Sequence, residues 1–172
     1  LESDAWRDWQ KATKPELAGQ WRLVGFVPGK GAFDARMTAT GSNAEGYALK
    51  LEGRYLDGRP LAGSGTARVF TGYEWRGTLE VDGVPMRQVL AADADGARMS
   101  GRQFAKDARE MGGALTAVRE RGASQVVAVL PQRLRAGETG TLTIIGSGLS
   151  GKVSLGAGVK VVEVVSRDAD RV

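Results

Sequence analysis

The stretch from Tyr73 to Val81, with the sequence YEWRGTLEV, decides the fold because its side chains alternate between apolar and polar. One face carries Tyr73, Trp75, Leu79 and Val81, and the other carries Glu74, Arg76, Thr78 and Glu80. A period of two is typical of a β-strand with one buried face. Asp82-Gly83 follows at once and favours a tight hairpin, so the next strand is predicted to run antiparallel.

Outward from this stretch, the same patterning predicts eight short strands between residues 17 and 121. They are expected near Trp21–Val27, Phe33–Thr40, Tyr47–Tyr55, Gly65–Thr71, Tyr73–Val81, Val84–Ala91, Ala97–Phe104 and Ala114–Arg119. Aspartate-glycine pairs lie between several of them, where tight turns need a positive φ. A helical interruption is expected only around Ala105–Met111.

Successive hairpins with short connections predict an antiparallel meander, and eight strands suit closure into a barrel without exposed edges. Glycines inside the strands, at Gly53, Gly77 and Gly101, would permit the bends of a small barrel. Because large apolar side chains point inward from several strands, we expect them to fill the interior. The fold class is therefore all-β, with residues 17–121 forming the barrel domain.

Residues 1–16 are predicted to form a short N-terminal helix and a linker. Trp6 and Trp9 have helical spacing within residues 4–13, Ser3 can cap the helix, and Pro15 ends it. So short a helix is marginal in water by itself. We therefore expect the two indoles to pack on the barrel or on a further domain.

The composition changes after Gly122. Residues 125–172 contain no aromatic residue and are rich in valine. Strand candidates are Gln125–Leu130, Thr139–Ile145, Lys152–Leu155 and Val159–Val165. Residues 124–172 thus resemble the opening half of an immunoglobulin-like sandwich, which needs about 100 residues and seven strands when complete. We expect this domain to be truncated and to expose apolar surface.

Composition excludes much chemistry. The 172 residues include no cysteine and no histidine, so haem attachment through Cys-x-x-Cys-His, thiolate or imidazole metal sites and Ser-His-Asp triads are all impossible here. The net charge of +4 is spread over both parts of the chain without a basic cluster, which argues against a nucleic-acid partner. No apolar run approaches the roughly 20 residues that span a bilayer.

Three motifs suggest ligand sites but have simpler interpretations. Gly146–Gly151 matches G-x-G-x-x-G, yet the β-branched residues after it do not favour the helix that a nucleotide site requires. Pro28–Gly31 is interpreted as a hairpin turn and not as a phosphate loop. Asp93 and Asp95 lack the further oxygen ligands of a calcium loop and are interpreted as a β-turn.

Several separated segments, in order, resemble the second domain of the quinohemoprotein amine dehydrogenase alpha subunit. They are Leu17–Arg22 (LAGQWR), Gly25–Gly31 (GFVPGKG), Gly53–Gly58 (GRYLDG), Gly65–Arg76 (GTARVFTGYEWR) and Met99–Phe104 (MSGRQF). The resemblance covers about residues 5–121, and residues 124–172 resemble the start of the next, immunoglobulin-like domain of that subunit. It implies a periplasmic complex that oxidises primary amines with a protein-derived quinone in a small subunit and passes electrons through c-type haems.

Since this chain cannot attach haem, the resemblance implies that the redox groups and catalytic residues belong to other domains or subunits. We therefore expect no catalytic, cofactor-binding or metal-binding residue here, and we interpret the chain as a scaffold that contacts a haem c domain and partner subunits. Trp6, Trp9 and Arg76 are the candidate partner contacts.

The alternative is a lipocalin-like barrel that binds a small molecule. In that case inward residues such as Tyr47, Tyr73, Trp75 and Met99 would line a cavity of about 300 Å³ or more. A packed interior would argue against this alternative.

Overall fold

A computed structural model describes residues 4–5, 8, 14–106, 112–150, 152–156, 158–165 and 168–172. The chain divides into two compact units, Leu1–Glu120 and Arg121–Val172. In the described residues, no helix is long and apolar enough to cross a membrane.

The first unit is a closed antiparallel barrel of eight strands in sequence order, with β1 paired to β8. The strands are β1 Gly19–Val27, β2 Gly31–Ser42, β3 Gly46–Tyr55, β4 Pro60–Phe70, β5 Glu74–Val81, β6 Val84–Ala92, β7 Arg98–Ala105 and β8 Gly113–Arg119. The predicted meander and its closure are confirmed. Closure satisfies the backbone groups of every strand on both sides, which an open sheet cannot do.

Most strand starts differ from the prediction by one or two residues, and the differences in β5 and β4 have a structural cause. β5 begins at Glu74, because Tyr73 has a left-handed backbone with a φ of 63° and ends the preceding turn. Its ring is nevertheless buried, as the alternation predicted. β4 begins at Pro60, five residues before Gly65. Small residues interrupt the alternation over that segment, so the pairing with β3 and not the side-chain pattern defines the strand there.

The barrel interior is one apolar core. Its largest fully buried side chains include Trp21, Trp75, Tyr55, Tyr73 and Phe33. They come from four strands and one turn, and they belong to a single cluster with the inward aliphatic residues. The expected filling of the interior by the barrel's own side chains therefore agrees with the packing seen here.

Two strand glycines lie where neighbouring backbones approach closely. A Cβ atom at Gly53 would lie 2.2 Å from the carbonyl oxygen of Asp34, and one at Gly101 would lie 2.2 Å from that of Val89. No other residue fits at either position without moving the adjacent strand. Gly77 differs, since its Cβ position faces the Gln88 Oε1 and Trp75 Nε1 atoms at 3.1 and 3.3 Å.

The predicted N-terminal helix and the interruption at Ala105–Met111 fall mostly outside the described residues. Asp4, Ala5 and Asp8 have helical backbone, but the helix as an element is not confirmed. Trp6 and Trp9 lie outside the described residues.

The second unit contains a two-stranded antiparallel sheet made of β9 Gln125–Leu130 and β10 Thr143–Ser147. The first strand candidate of this region is confirmed, and the second begins four residues later than predicted. An immunoglobulin-like sandwich is not confirmed. The predicted strands at Lys152–Leu155 and Val159–Val165 are wrong, because both segments are irregular where they are described.

The physical reason for that error is the lack of pairing. β-branched residues favour a strand only where a neighbouring strand accepts their backbone hydrogen bonds and covers their side chains. Val162 and Val165 are each 79% exposed, so neither condition holds for them. By contrast, Ile145 in β10 is fully buried, and the backbone of the adjacent Ile144 exchanges hydrogen bonds with Val172.

Candidate functional site

The end of the barrel at which β1 begins binds the chain that leads into it. We call residues 15–18 the lead-in strap. All four of its consecutive backbone carbonyl oxygens accept hydrogen bonds from barrel side chains. The Pro15 carbonyl accepts from Asn43 Nδ2 at 3.0 Å and from Tyr73 Oη at 2.7 Å. The Glu16 and Ala18 carbonyls accept from Arg119, through Nη2 at 2.5 Å and Nη1 at 2.9 Å. The Leu17 carbonyl accepts from Trp21 Nε1 at 3.0 Å.

Tyr47 is the centre of a second set of contacts with the strap. The Leu17 backbone N–H donates to Tyr47 Oη at 2.9 Å, and that oxygen lies 2.7 Å from both Glu16 Oε2 and Asn43 Oδ1. The Asn43 backbone N–H also donates to Glu16 Oε2, at 2.6 Å. Burial, with the hydrogen bond to Glu16, raises the pKa of Tyr47 far above its ordinary value. The hydroxyl therefore keeps its proton and remains available as a donor.

Arg119, the last residue of β8, connects the strap to two other parts of this end. Its Nε donates to the Gly96 carbonyl at 2.9 Å, and its guanidinium carbon lies 4.7 Å from the ring centre of Trp21. A planar guanidinium presents several donors in a fixed arrangement and stacks on aromatic rings, which a lysine cannot reproduce. One side chain thus holds two strap carbonyls and the β6–β7 turn at the same time.

These side chains come from distant parts of the chain, and closure of the barrel brings them together. Arg119 and Glu16 are 103 residues apart in sequence, and Tyr73 and Pro15 are 58 apart. Sequence analysis missed Asn43 and Arg119 for that reason. The only local signal was the Pro15-Glu16-Leu17 segment immediately before the first strand.

Chemically, this end of the barrel binds backbone. Five side-chain donors, from Asn43, Tyr73, Trp21 and Arg119, are directed at backbone carbonyl oxygens of the strap. The Tyr73 hydroxyl is also held in its neutral form, since burial raises its pKa to about 12. Within the described residues, no group of three or more carboxylate side chains is placed to hold a metal ion. The arrangement is suited to fixing a polypeptide segment.

At the opposite end, the side chains connect hairpin turns to one another. Tyr55 Oη donates to Asp82 Oδ2 at 2.8 Å, and the Ala62 N–H donates to Asp82 Oδ1 at 2.9 Å. Burial acts to raise the pKa of Asp82, but these hydrogen bonds outweigh it and the pKa is lowered. Arg59 Nη2 and Lys30 Nζ donate to turn carbonyls, each at 2.8 Å.

The interior residues proposed to line a ligand cavity belong to the packed core. Tyr47, Tyr73, Trp75 and Met99 are each 2% exposed or less. Tyr47 and Trp75 stack with their ring centres 5.3 Å apart. Polar groups inside the barrel are also paired, since Gln88 Nε2 donates to Gln103 Oε1 at 3.2 Å. These contacts do not favour the small-molecule alternative.

Of the predicted partner contacts, only Arg76 is described. It lies exposed on the outer face of β5, where its Nε donates to Glu74 Oε1 at 2.5 Å. Its guanidinium carbon lies 4.7 Å from the ring centre of Phe70. The ion pair is therefore with Glu74 on the same strand and not across the sheet. Its role as a partner contact stays a prediction.

The three motifs have the local structures expected of turns and connections. Lys30 N–H donates to Val27 O at 3.0 Å in the β1–β2 turn, and Gly96 N–H donates to Asp93 O at 2.9 Å in the β6–β7 turn. Gly146 lies in β10, and residues 152–156 are not helical. The nucleotide fingerprint therefore lacks its helix.

Comparison with solved structures finds designed β-barrels. One is a de novo designed fluorescence-activating beta barrel, with 20% identity and a TM-score of 0.49 over 64% of this chain and 97% of that one. Another is a redesigned beta barrel, mFAP1, bound to DFHBI, with 18% identity and a TM-score of 0.49 over 60% and 94%. No curated protein sequence matches.

Comparison with protein families gives a match over nearly the whole chain. Residues 14–120 match quinohemoprotein amine dehydrogenase, alpha subunit domain II, and residues 123–172 match domain III of the same subunit. The first match includes the lead-in strap and ends at the residue after Arg119. The chain therefore belongs to the quinohemoprotein amine dehydrogenase alpha subunit family.

Proposed function

We propose that this chain is a non-catalytic scaffold segment of a periplasmic quinohemoprotein amine dehydrogenase. Its partners are a haem c domain and the other subunits of the complex, and the oxidation of primary amines and the transfer of electrons take place there. The family match supports the membership, and the geometry of the lead-in strap supports the role.

One observation carries the proposal: four consecutive strap carbonyls are bound by side chains of the barrel. A loose linker would leave these oxygens to water. Here each one is directed at a donor whose own position is fixed by β-structure or by a turn. Residues 15–18 are consequently held at a defined place on the barrel, as the attachment point of a scaffold for a neighbouring domain requires.

The residue types support the non-catalytic part of the proposal. Without cysteine or histidine, the chain has no ligand set for haem c. Its buried tyrosines are held neutral, and its buried Arg22 and Asp34 form an ion pair at 2.6 Å. These groups serve structural contacts and are not poised for proton transfer.

The strap is tested by Tyr47→Phe, which keeps the ring in the core and removes only the hydroxyl. We expect the Leu17 amide to exchange with solvent roughly fivefold faster, because one hydrogen bond contributes about 1 kcal/mol. We also expect weaker association with a purified haem domain and quinone-bearing subunit in size-exclusion chromatography. Tyr55→Phe is the matched control, since it removes a hydroxyl at the opposite end of the barrel.

Two results would contradict the proposal. One is amine-dependent reduction of an artificial electron acceptor by the purified chain alone, which would make it catalytic. The other is association with the partner subunits that both Tyr→Phe variants leave unchanged while the Leu17 amide loses its protection. In that case the strap would be a local structural feature without a role in assembly.

A further inference from the structure

The outer face of β4–β7 carries an excess of arginine. Its outward positions include five arginines and two glutamates. They are Arg68, Glu74, Arg76, Glu80, Arg87, Arg98 and Arg102. We call the four arginines near its middle, at positions 68, 76, 87 and 102, the arginine face. Adjacent strands lie about 4.8 Å apart, so these side chains span roughly 14 Å across four strands.

The strand register places Arg68, Arg76 and Arg102 in one row. Arg68 lies directly opposite Arg76, Arg76 opposite Val89, and Val89 opposite Arg102. Arg87 lies in the neighbouring row, opposite Thr78. Like charges directly opposite each other on a sheet are destabilising. The barrel therefore keeps an arrangement that its own stability does not favour.

Within the described residues, carboxylates neutralise this face only in part. Arg76 pairs with Glu74, and Arg102 donates to the Gly112 carbonyl at 3.1 Å. In the part of the chain that the structure describes, neither Arg68 nor Arg87 forms an ion pair. All four arginines are exposed, and so is Val89 between them, at 40%.

The outer face of β1–β3 shows what a balanced surface of this barrel looks like. There Lys50 pairs with Glu52 at 2.6 Å, and Arg36 pairs with Glu120 at 2.8 Å. Both faces belong to the same barrel and carry a similar number of basic residues. They differ in whether the barrel supplies the counter-charges.

We propose that the arginine face docks an acidic surface of a partner protein subunit, an inference that rests on the proposed scaffold function. Carboxylates of the partner would supply the counter-charges that Arg68 and Arg87 lack. Exposed arginines around a small apolar residue are also the composition that protein interfaces favour. The face is smaller than a standard interface, so it forms the centre of a larger contact or supports a weak one.

The geometry favours protein over nucleic acid. Proteins that bind single strands use a positively charged groove with open aromatic rings on which bases stack. The wall of a closed barrel is convex. Its two outer aromatic rings here are covered, since Arg76 lies 4.7 Å from the ring centre of Phe70 and Arg87 lies 5.7 Å from that of Phe104.

The test compares two triple variants of the whole chain with equal loss of charge. R68Q/R76Q/R87Q removes three charges from the arginine face, and R36Q/K50Q/R54Q removes three from the face of β2 and β3. Binding to the purified partner subunits is measured by titration calorimetry at 50 and 200 mM salt, with a 20-base-pair DNA duplex as a second probe. Near-UV circular dichroism verifies that both variants are folded.

We expect the first variant to bind the partner subunits at least about tenfold more weakly at low salt, and with less salt dependence, while the control changes by less than about twofold. Equal affinities of the two variants would overturn the inference and leave the scaffold proposal intact. A larger effect on DNA than on the subunits would overturn it in favour of nucleic acid. No binding of the unmodified chain to the subunits would contradict both proposals.

Discussion

The barrel and the C-terminal unit are built from similar β-forming sequence, yet only the barrel has an extensive core. Every barrel strand has two hydrogen-bonded neighbours, and 23 of the described residues form its buried apolar cluster. The described part of the C-terminal unit has one strand pair, and Val127 and Ile145 are its only buried hydrophobic residues there. This comparison indicates that a sequence of alternating apolar and polar side chains forms a strand only where a second strand is present to pair with it.

The aromatic residues follow the same division. All eleven lie before residue 105, and the barrel core contains both stacked rings and all three tyrosines. Aromatic side chains bury more area than aliphatic ones and so contribute most to a small core. The C-terminal unit depends on valine and isoleucine, and several of its valines are exposed. Spectroscopic signals of aromatic side chains therefore monitor the barrel region and not residues 125–172.

The largest change in the free energy of unfolding is expected from Trp75→Ala. Trp75 is fully buried and stacks on Tyr47, so its removal should lower the free energy of unfolding of the barrel by about 3–5 kcal/mol. Urea denaturation followed by the fluorescence of the remaining tryptophans measures this. Val126→Ala in β9 is the control, because that side chain is 57% exposed and should change stability by less than about 0.5 kcal/mol. Similar losses for both would contradict the division into a packed and a sparse unit.

A smaller effect is expected from Ile145→Ala, at the centre of the C-terminal unit. Ile145 is fully buried, but Val127 is the only other buried hydrophobic residue in the described part of this unit, so we expect a loss of about 2 kcal/mol, at the low end for a buried isoleucine. The amides of β9 and β10 should then exchange with solvent roughly 30-fold faster, as measured by hydrogen exchange. Val165→Ala should leave that exchange unchanged, because Val165 is 79% exposed. A loss as large as that of Trp75→Ala would mean that this unit is as well packed as the barrel.

The smallest effect on stability near neutral pH is expected from the ionisation of the three tyrosines. Burial raises the pKa of all three, and that of Tyr73 to about 12. Since the unfolded phenol has a pKa near 10, the stability from these groups is fully present below pH 10 and is lost as the pH rises from 10 towards 12. Tyrosinate absorbance should therefore appear only above pH 10, together with unfolding.

Tyr73→Phe removes one of these groups and should make the loss of stability above pH 10 less steep. The hydrogen exchange of β9 and β10, compared at neutral pH, should be the same in this variant and in the unmodified chain. Titration of all three tyrosines near pH 10 in a folded barrel would contradict the burial of their hydroxyl groups.

Sequence patterning predicted the barrel closely and the C-terminal unit only in part. The eight strands were recognised because each one alternates or is bounded by turn residues such as Asp82-Gly83, and both are local signals. β9 was predicted with its observed bounds. The segment Val159–Val165 carries the same kind of signal, but it has no strand beside it in the described residues. A local sequence pattern shows that a segment is able to pair as a strand, but it does not show that a neighbouring strand is present.

The candidate site was the least predictable part. Arg76 was singled out from the sequence beside Tyr73 and Trp75, but its row with Arg68 and Arg102 depends on a register across three strand pairs. Arg119 gave no signal at all, because its role depends on the strap carbonyls about 100 residues earlier. The local sequence around a residue at the end of a strand does not indicate which residues will contact it after the barrel closes.

The amino-acid pattern alone predicted that the chain is all-β, that residues 17–121 form a closed meander with apolar rings inside, and that haem attachment through Cys-x-x-Cys-His is impossible here. These follow from the two-residue period of strands, from turn chemistry and from the absence of cysteine and histidine. Only the tertiary structure decided that the strap is held by Asn43, Tyr73 and Arg119, and that arginines line up on one outer face. Both depend on register and closure, which bring together residues that no local pattern connects.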